Sequence, residues 1–304
     1  MTHDIYITGS GHTRFGRLDD QTLESLISTV AHDAIENAAI DPHEIDEVFV
    51  SHFNQGLDPQ GFPSSLPIQG VPELRFKPST RVENACASGS AAVHLGARSI
   101  QAGAATTVLV VGVEKMTANA NPVVQQALVS ASYVKDEAAP GASFAGLFGQ
   151  IALQYFDRYG DQSDALARIA AKNHEYGAAN ALAHMRRDLG YEFCREASDK
   201  NPVVDGPLKR TDCSMVSDGA AALVLQRLEG DALDHTVAGH TSAEQAHHNL
   251  LQALSKQPLL CLGLRLGEAS GAALALGHDA DKGCQGHSAA LATLCCAIRL
   301  VNSG

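Results

Sequence analysis

Leu23, Leu26, Ile27, Val30, Ala34, Ile35 and Ala38 recur at intervals of three and four residues. That spacing predicts an amphipathic helix over 22–39 with its apolar stripe laid on a sheet. A different pattern follows Gly103, where Thr106, Thr107, Val108, Leu109, Val110 and Val111 run without alternation, as expected of a strand covered on both faces. Shorter strands are expected at Ile5 to Thr8, Asp46 to Ser51, Thr80 to Val82 and Ala220 to Leu225. Gly9, Gly11 and Gly16 read as a glycine-rich turn after the first strand. A dinucleotide fingerprint is excluded there, because position 14 is Arg14. The Pro/Gly-rich segment 55–72 reads as a loop folding over a neighbour or a partner subunit. Beyond Met116 the periodicity turns helical. Phe144, Leu147, Phe148, Ile151, Ala152, Tyr155 and Phe156 form one stripe, and Ser163 is placed as the cap of a second helix carrying Leu166, Ile169 and Ala170. Residues 117–200 are therefore expected to form a helical insertion between two strands of one sheet.

The chemistry centres on Cys86. It stands where the strand ending at Val82 gives way to a helix that opens with Ala87, Ser88, Gly89 and Ser90 and stops at Gly103. In the first turn of a helix, unpaired amides and the positive end of the dipole favour a thiolate, and small residues let an acyl chain approach. Strand, cysteine, helix and strand make a crossover unit with a nucleophile at its first corner.

The segment Asn84-Ala-Cys86-Ala-Ser-Gly-Ser-Ala-Ala, with the strand end Val-Gly-Val-Glu114-Lys-Met116, resembles the nucleophile segment of the thiolase superfamily, nearest to the sterol carrier protein type. Asp212-Cys-Ser214-Met-Val-Ser217-Asp218-Gly219-Ala-Ala-Ala222 is similar to the strand closing the amino-terminal half of those enzymes, and the opening around Tyr6 to Gly16 agrees. The resemblance covers about residues 4–228. It implies an α/β, layered fold with a mixed five-stranded sheet and covering helices, the amino-terminal half intact and the carboxy-terminal half incomplete. Residues 1–116 and 201–230 would form the core, 117–200 the loop domain over the active-site mouth, and 231–304 a truncated or aberrant segment. Cys86 would accept the acyl group of a coenzyme A thioester, in thiolysis of a 3-ketoacyl-CoA or in Claisen condensation with acetyl-CoA. Ser214 would lie beside the pantetheine arm. His278, in Gly271-Ala-Ala-Leu-Ala-Leu-Gly277-His278, matches a family histidine that activates the cysteine, although Asp279 stands where proline is expected. No permanently bound cofactor is implied, and a homodimer or homotetramer is the expected assembly. His174, in Lys172-Asn173-His174, matches a tripeptide of the insertion and is read as structural.

Composition limits the alternatives. A net charge of −12 disfavours nucleic acid and anionic membranes as partners. Neither an export signal nor a run long enough to span a bilayer is visible, so reduced thiols in the cytoplasm are expected. The last quarter departs from the rest. All 15 aromatic residues lie at or before Phe193, while four of the seven cysteines fall in the last 44 residues. That break reads either as an internal deletion joined to a remnant of a second half or as a change of reading frame after about residue 240. His240, His247 and His248 lack the paired spacing of metal ligands. Two other readings stay open: a ketoacyl-synthase-type condensing enzyme, and a catalytically incomplete thiolase-like chain that binds only acyl-CoA or a partner subunit. A damaged sequence with an exposed sheet would aggregate.

Overall fold

The computed structural model describes residues 5–137, 143–227, 238–240 and 258–260. In chain order the strands are β1 (Ile5–His12), β2 (Glu47–Ser51), β3 (Ser79–Val82), β4 (Thr107–Glu114), β5 (Val203–Asp205), β6 (Leu208–Lys209), β7 (Gly219–Arg227), β8 (Ala238–His240) and β9 (Pro258–Leu260). The helices are α1 (Leu23–Ala38), α2 (Pro67–Gly70), α3 (Ser88–Gln101), α4 (Asn121–Val129), α5 (Val134–Glu137), α6 (Phe144–Tyr159), α7 (Ser163–Ala179) and α8 (Gly190–Arg195).

One mixed sheet of order β1-β7-β4-β2-β3 carries the fold. β1 and β7 pair antiparallel, as do β7 and β4, whereas β4, β2 and β3 run parallel. The alternation of side chains along each strand divides the core into two layers. Leu109, Val111 and Val113 of β4 join Val48, Val50, Ala222 and Val224 under α1, while Val108, Val110, Phe49 and Leu225 turn to the opposite face under α3. The unbroken apolar run of β4 thus follows from a sheet covered on both sides. α1 lies where its periodicity predicts, with Leu26, Ile27 and Val30 fully enclosed, each worth about 1.5–3 kcal/mol of burial. It starts at a reciprocal cap, in which the Ser25 amide donates to Thr22 Oγ1 and the Thr22 amide donates to Ser25 Oγ.

Three local expectations change. Gly9 and Gly11 form no turn. They lie inside β1, and a Cβ at either position would sit 2.2 Å from the Ala34 carbonyl or 2.4 Å from that of Val30. The glycines mark the close approach of β1 to the α1 backbone, with a bulge between Ile7 and Gly9. The segment 55–72 is not a plain loop, because Pro63, Pro67 and Pro72 each open a short helical turn, where a proline's missing amide costs nothing. It packs on α1 of the same chain, bringing Gly70 against Ser28. Ser163 is the first residue of α7 rather than its cap, and the Asp161 carboxylate accepts from both its amide and its hydroxyl.

Helices α4 to α8 intervene between β4 and β7. α7 and α8 share a small core of Ala167, Ala170 and Cys194. α6 buries only Gly149, against Asp205, and its predicted stripe remains open at Phe148, Ile151 and Tyr155. β8 and β9 pair parallel in a separate two-stranded sheet. Among the described residues no helix is long and apolar enough to cross a membrane.

Candidate active site

The parallel strands β4, β2 and β3 bring their carboxyl ends to one edge, the position at which open α/β sheets bind ligands. Three segments meet there: Ser51 to Asn54 after β2, Glu83 to Ala87 after β3, and Glu114 to Thr117 at the end of β4. A cavity of about 180 Å³ opens between them, lined by Phe53, Cys86, Gly89, Glu114, Leu128 and Phe144.

Cys86 sits on a sharp corner. Ala85 before it is held at φ 46°, in the left-handed region, which costs a side-chain-bearing residue about 1–2 kcal/mol. Local hydrogen bonds fix that turn. The Asn84 amide donates to Ser88 Oγ at 2.8 Å, Ser88 Oγ donates to the Ala85 carbonyl at 2.6 Å, and the Ala85 amide donates to Glu83 Oε1 at 2.6 Å. The helix begins later than expected. Ala87 is its cap residue and Ser88 its first member, so Cys86 precedes the first turn instead of lying within it. No side chain caps α3, and Gly89, whose amide belongs to that uncapped turn, lines the cavity with the exposed Cys86.

Among the described residues, Glu114 is the other ionisable group lining the cavity. Its Oε1 accepts from the Phe53 amide at 2.5 Å, and its Oε2 lies 3.4 Å from the Asn54 amide and 3.7 Å from His52 Nε2. Burial pushes this carboxyl up to about 7, against the two amides and Arg81, which favour the anion. His52 is enclosed, and burial together with the Arg81 charge brings it down to about 4, so the imidazole is neutral at physiological pH. Arg81 holds the β2 turn by donating to the His52 and Phe53 carbonyls.

Asp218 anchors the edge from beneath. Its carboxylate accepts from Lys115 Nζ at 2.7 Å, from the Met116 and Thr117 amides, from Thr117 Oγ1 and from the Leu18 amide. Although burial pushes Asp218 up, the Lys115 and Thr117 hydrogen bonds outweigh it and hold the group at about 2. The Asp-Gly pair at the start of β7 therefore fixes the chain just after Glu114 and pins the cavity wall.

The other sequence candidates lie elsewhere. Ser214 is exposed in the segment before β7 and does not line the cavity. Cys213 closes a 3₁₀ turn there, ahead of β7. His174 is half-buried on α7, away from the cavity lining. His278 falls outside the described residues. Glu114 and His52 went unrecognised as site residues in the sequence, although a glutamate between Val113 and Met116 at the end of a buried strand is the signature of a desolvated carboxyl.

The thiolase N-terminal domain model matches residues 5–189. Acetyl-CoA acetyltransferases of Methanocaldococcus jannaschii and Methanothermobacter thermautotrophicus are 38% and 33% identical to the chain, over 74% and 73% of its length and 56% of theirs. The chain thus spans about half the length of these relatives. The acetyl-CoA acetyltransferase of Syntrophomonas wolfei superposes with a TM-score of 0.59 at 19% identity, over 84% of this chain and 76% of that one. Human mitochondrial 3-ketoacyl-CoA thiolase in complex with CoA gives 0.58 at 17% identity, over 77% and 66%. Both share the fold. A second family model, phosphoribosyltransferase, matches residues 212–278. The nicotinate-nucleotide--dimethylbenzimidazole phosphoribosyltransferase of Roseobacter denitrificans is 67% identical over 57 residues, 19% of this chain and 17% of that protein. The composition break thus overlaps a match to another family, which runs as far as His278. From its first strand through the helices that follow β4, with the nucleophile corner and its cavity inside that span, the chain belongs to the thiolase superfamily.

Proposed function

We propose that the chain is an acyl-CoA acyltransferase of the thiolase type in which Cys86 carries the acyl group. The observation supporting this most directly is an exposed cysteine on a strained corner, facing a cavity at the carboxyl edge of three parallel strands. In the forward step the Cys86 sulfur attacks the thioester carbonyl and coenzyme A leaves. The acyl-enzyme then passes its acyl group either to the carbanion of a second acyl-CoA, giving a 3-ketoacyl-CoA, or back to coenzyme A in thiolysis. The largely apolar cavity, with Phe53, Leu128 and Phe144 around the thiol, suits a short acyl chain. Single-turnover release of coenzyme A from acetyl-CoA tests the reading. One equivalent per chain is expected, and none from Cys86→Ser.

A second reading, a chain that acylates or binds without turning over, is favoured by one observation. Among the described residues no histidine lines the Cys86 cavity, so the second step lacks a nominated base. A burst of one equivalent followed by no steady rate would select it.

A further inference from the structure

We propose that the ring of Phe144 ends the acyl site and limits the acyl group carried by Cys86 to about four carbons, a reading that rests on the acyl transfer proposed above. A dry apolar cavity of roughly 150 Å³ holds a molecule of benzene. The cavity beside Cys86, at about 180 Å³, therefore takes about six heavy atoms. The sulfur and carbonyl oxygen of a thioester with a butyryl chain supply that number, and an octanoyl chain exceeds it.

The apolar walls differ in what stands behind them. Val113 belongs to the core under α1, and Met116 and Leu128 pack on the small core of Leu57, Val124 and Ala127. Phe53 is buried and its backbone is clamped on both sides, the amide donating to Glu114 Oε1 and the carbonyl accepting from Arg81. A longer chain pressed against any of these would have to displace packed protein. Phe144 is placed differently. It opens α6, which is capped by Ser143 Oγ accepting from the Gly146 amide and is seated through Gly146 and Gly149 against Asp205. Its ring meets that of Phe148 edge-on, with centroids 5.3 Å apart, and Phe148 is itself 52% exposed. Among the described residues Phe144 joins none of the buried apolar clusters. Its ring therefore stands between the cavity and the open apolar face of α6, and it is the wall whose removal lengthens the cavity without opening a core.

The test is the affinity of acetyl-, butyryl- and octanoyl-CoA by isothermal titration, with Cys86→Ser removing the thiol, alone and combined with Phe144→Ala or Ile151→Ala. Octanoyl-CoA should bind about tenfold or more weakly than butyryl-CoA, and Phe144→Ala should narrow that ratio by about tenfold. Ile151→Ala, further along the same open face of α6, should leave the ratio as it is. An equal narrowing by Ile151→Ala would put the long chain on the helix surface and overturn the proposal. So would a ratio that Phe144→Ala does not move, affinities that ignore chain length, or no binding of any of the three. If Phe144→Ala does not fold, Phe144→Leu decides: a narrowed ratio supports the role, and an unmoved one overturns it. Single-turnover release of coenzyme A from the same three thioesters by the protein with Cys86 intact separates the two readings. Length-dependent binding without release would count against acyl transfer alone, and release at equal rates from all three would count against Phe144 alone.

Discussion

At the scale of residues, two neighbours oppose each other. Glu114 binds its proton up to about pH 7 in the fold but only to 4.5 when unfolded, so between those values stability falls as pH rises. His52 is the reverse. Unfolded it is protonated below 6.5 and folded only below about 4, so across that interval stability rises with pH. Each effect amounts to roughly 3 kcal/mol. Over pH 4.5 to 6.5 they nearly cancel. Urea denaturation of the parent should therefore be flat in that window, while Glu114→Gln gains stability with rising pH and His52→Gln loses it. Flat profiles in both variants would contradict these assignments. At the corner, Ala85→Gly should relieve the left-handed strain and stabilise the fold by up to about 1 kcal/mol. The same exchange at Ala92, buried within α3, should cost about 1 kcal/mol or more. Paired thermal melts distinguish these directions, and destabilisation by Ala85→Gly would mean that the strain is not stored there.

The elements show what the sequence could and could not reveal. Periodicity alone placed α1, because its stripe faces a sheet that covers it completely. β4 was equally plain, since both faces are buried. The opening glycines misled, because closeness between β1 and the α1 backbone leaves the same letters as a turn and depends on a helix twenty residues away. Gly11→Ala should therefore destabilise by about 2 kcal/mol or more in chemical denaturation, where a surface turn would tolerate it. Cys86 was legible from its flanks, but Glu114 and His52 become a unit only when β2 and β4 pair in register, Ser51 opposite Gly112. Asp218 was visible as a motif, yet its work of holding the Met116 and Thr117 amides is a tertiary fact.

Over the whole molecule, the thiolase N-terminal domain model ends at residue 189, the match to the acetyl-CoA acetyltransferase relatives covers 74% and 73% of the chain, and a second family's model begins at residue 212, ahead of the β7 strand that completes the sheet. Among the described residues, the five-stranded sheet and the lining of its cavity come from residues 5–227. Over the same span, α6 presents Phe148 at 52% and Ile151 at 62% exposure, an apolar face that the described residues leave open. Phe148→Glu with Ile151→Glu should change stability by less than about 0.5 kcal/mol while lowering the binding of an apolar dye. A loss of several kcal/mol would show that this face is covered in the folded protein.

Cys86, in the cavity at the carboxyl edge of the sheet, is the proposed acyl acceptor. The most direct measurement is the mass of the intact protein after incubation with acetyl-CoA, followed by mapping of the adduct to a peptide. One acetyl group on the peptide from Val82 to Arg98, absent from Cys86→Ser, is the predicted result. A folded protein with no adduct, or with the acetyl group on another cysteine, would contradict it.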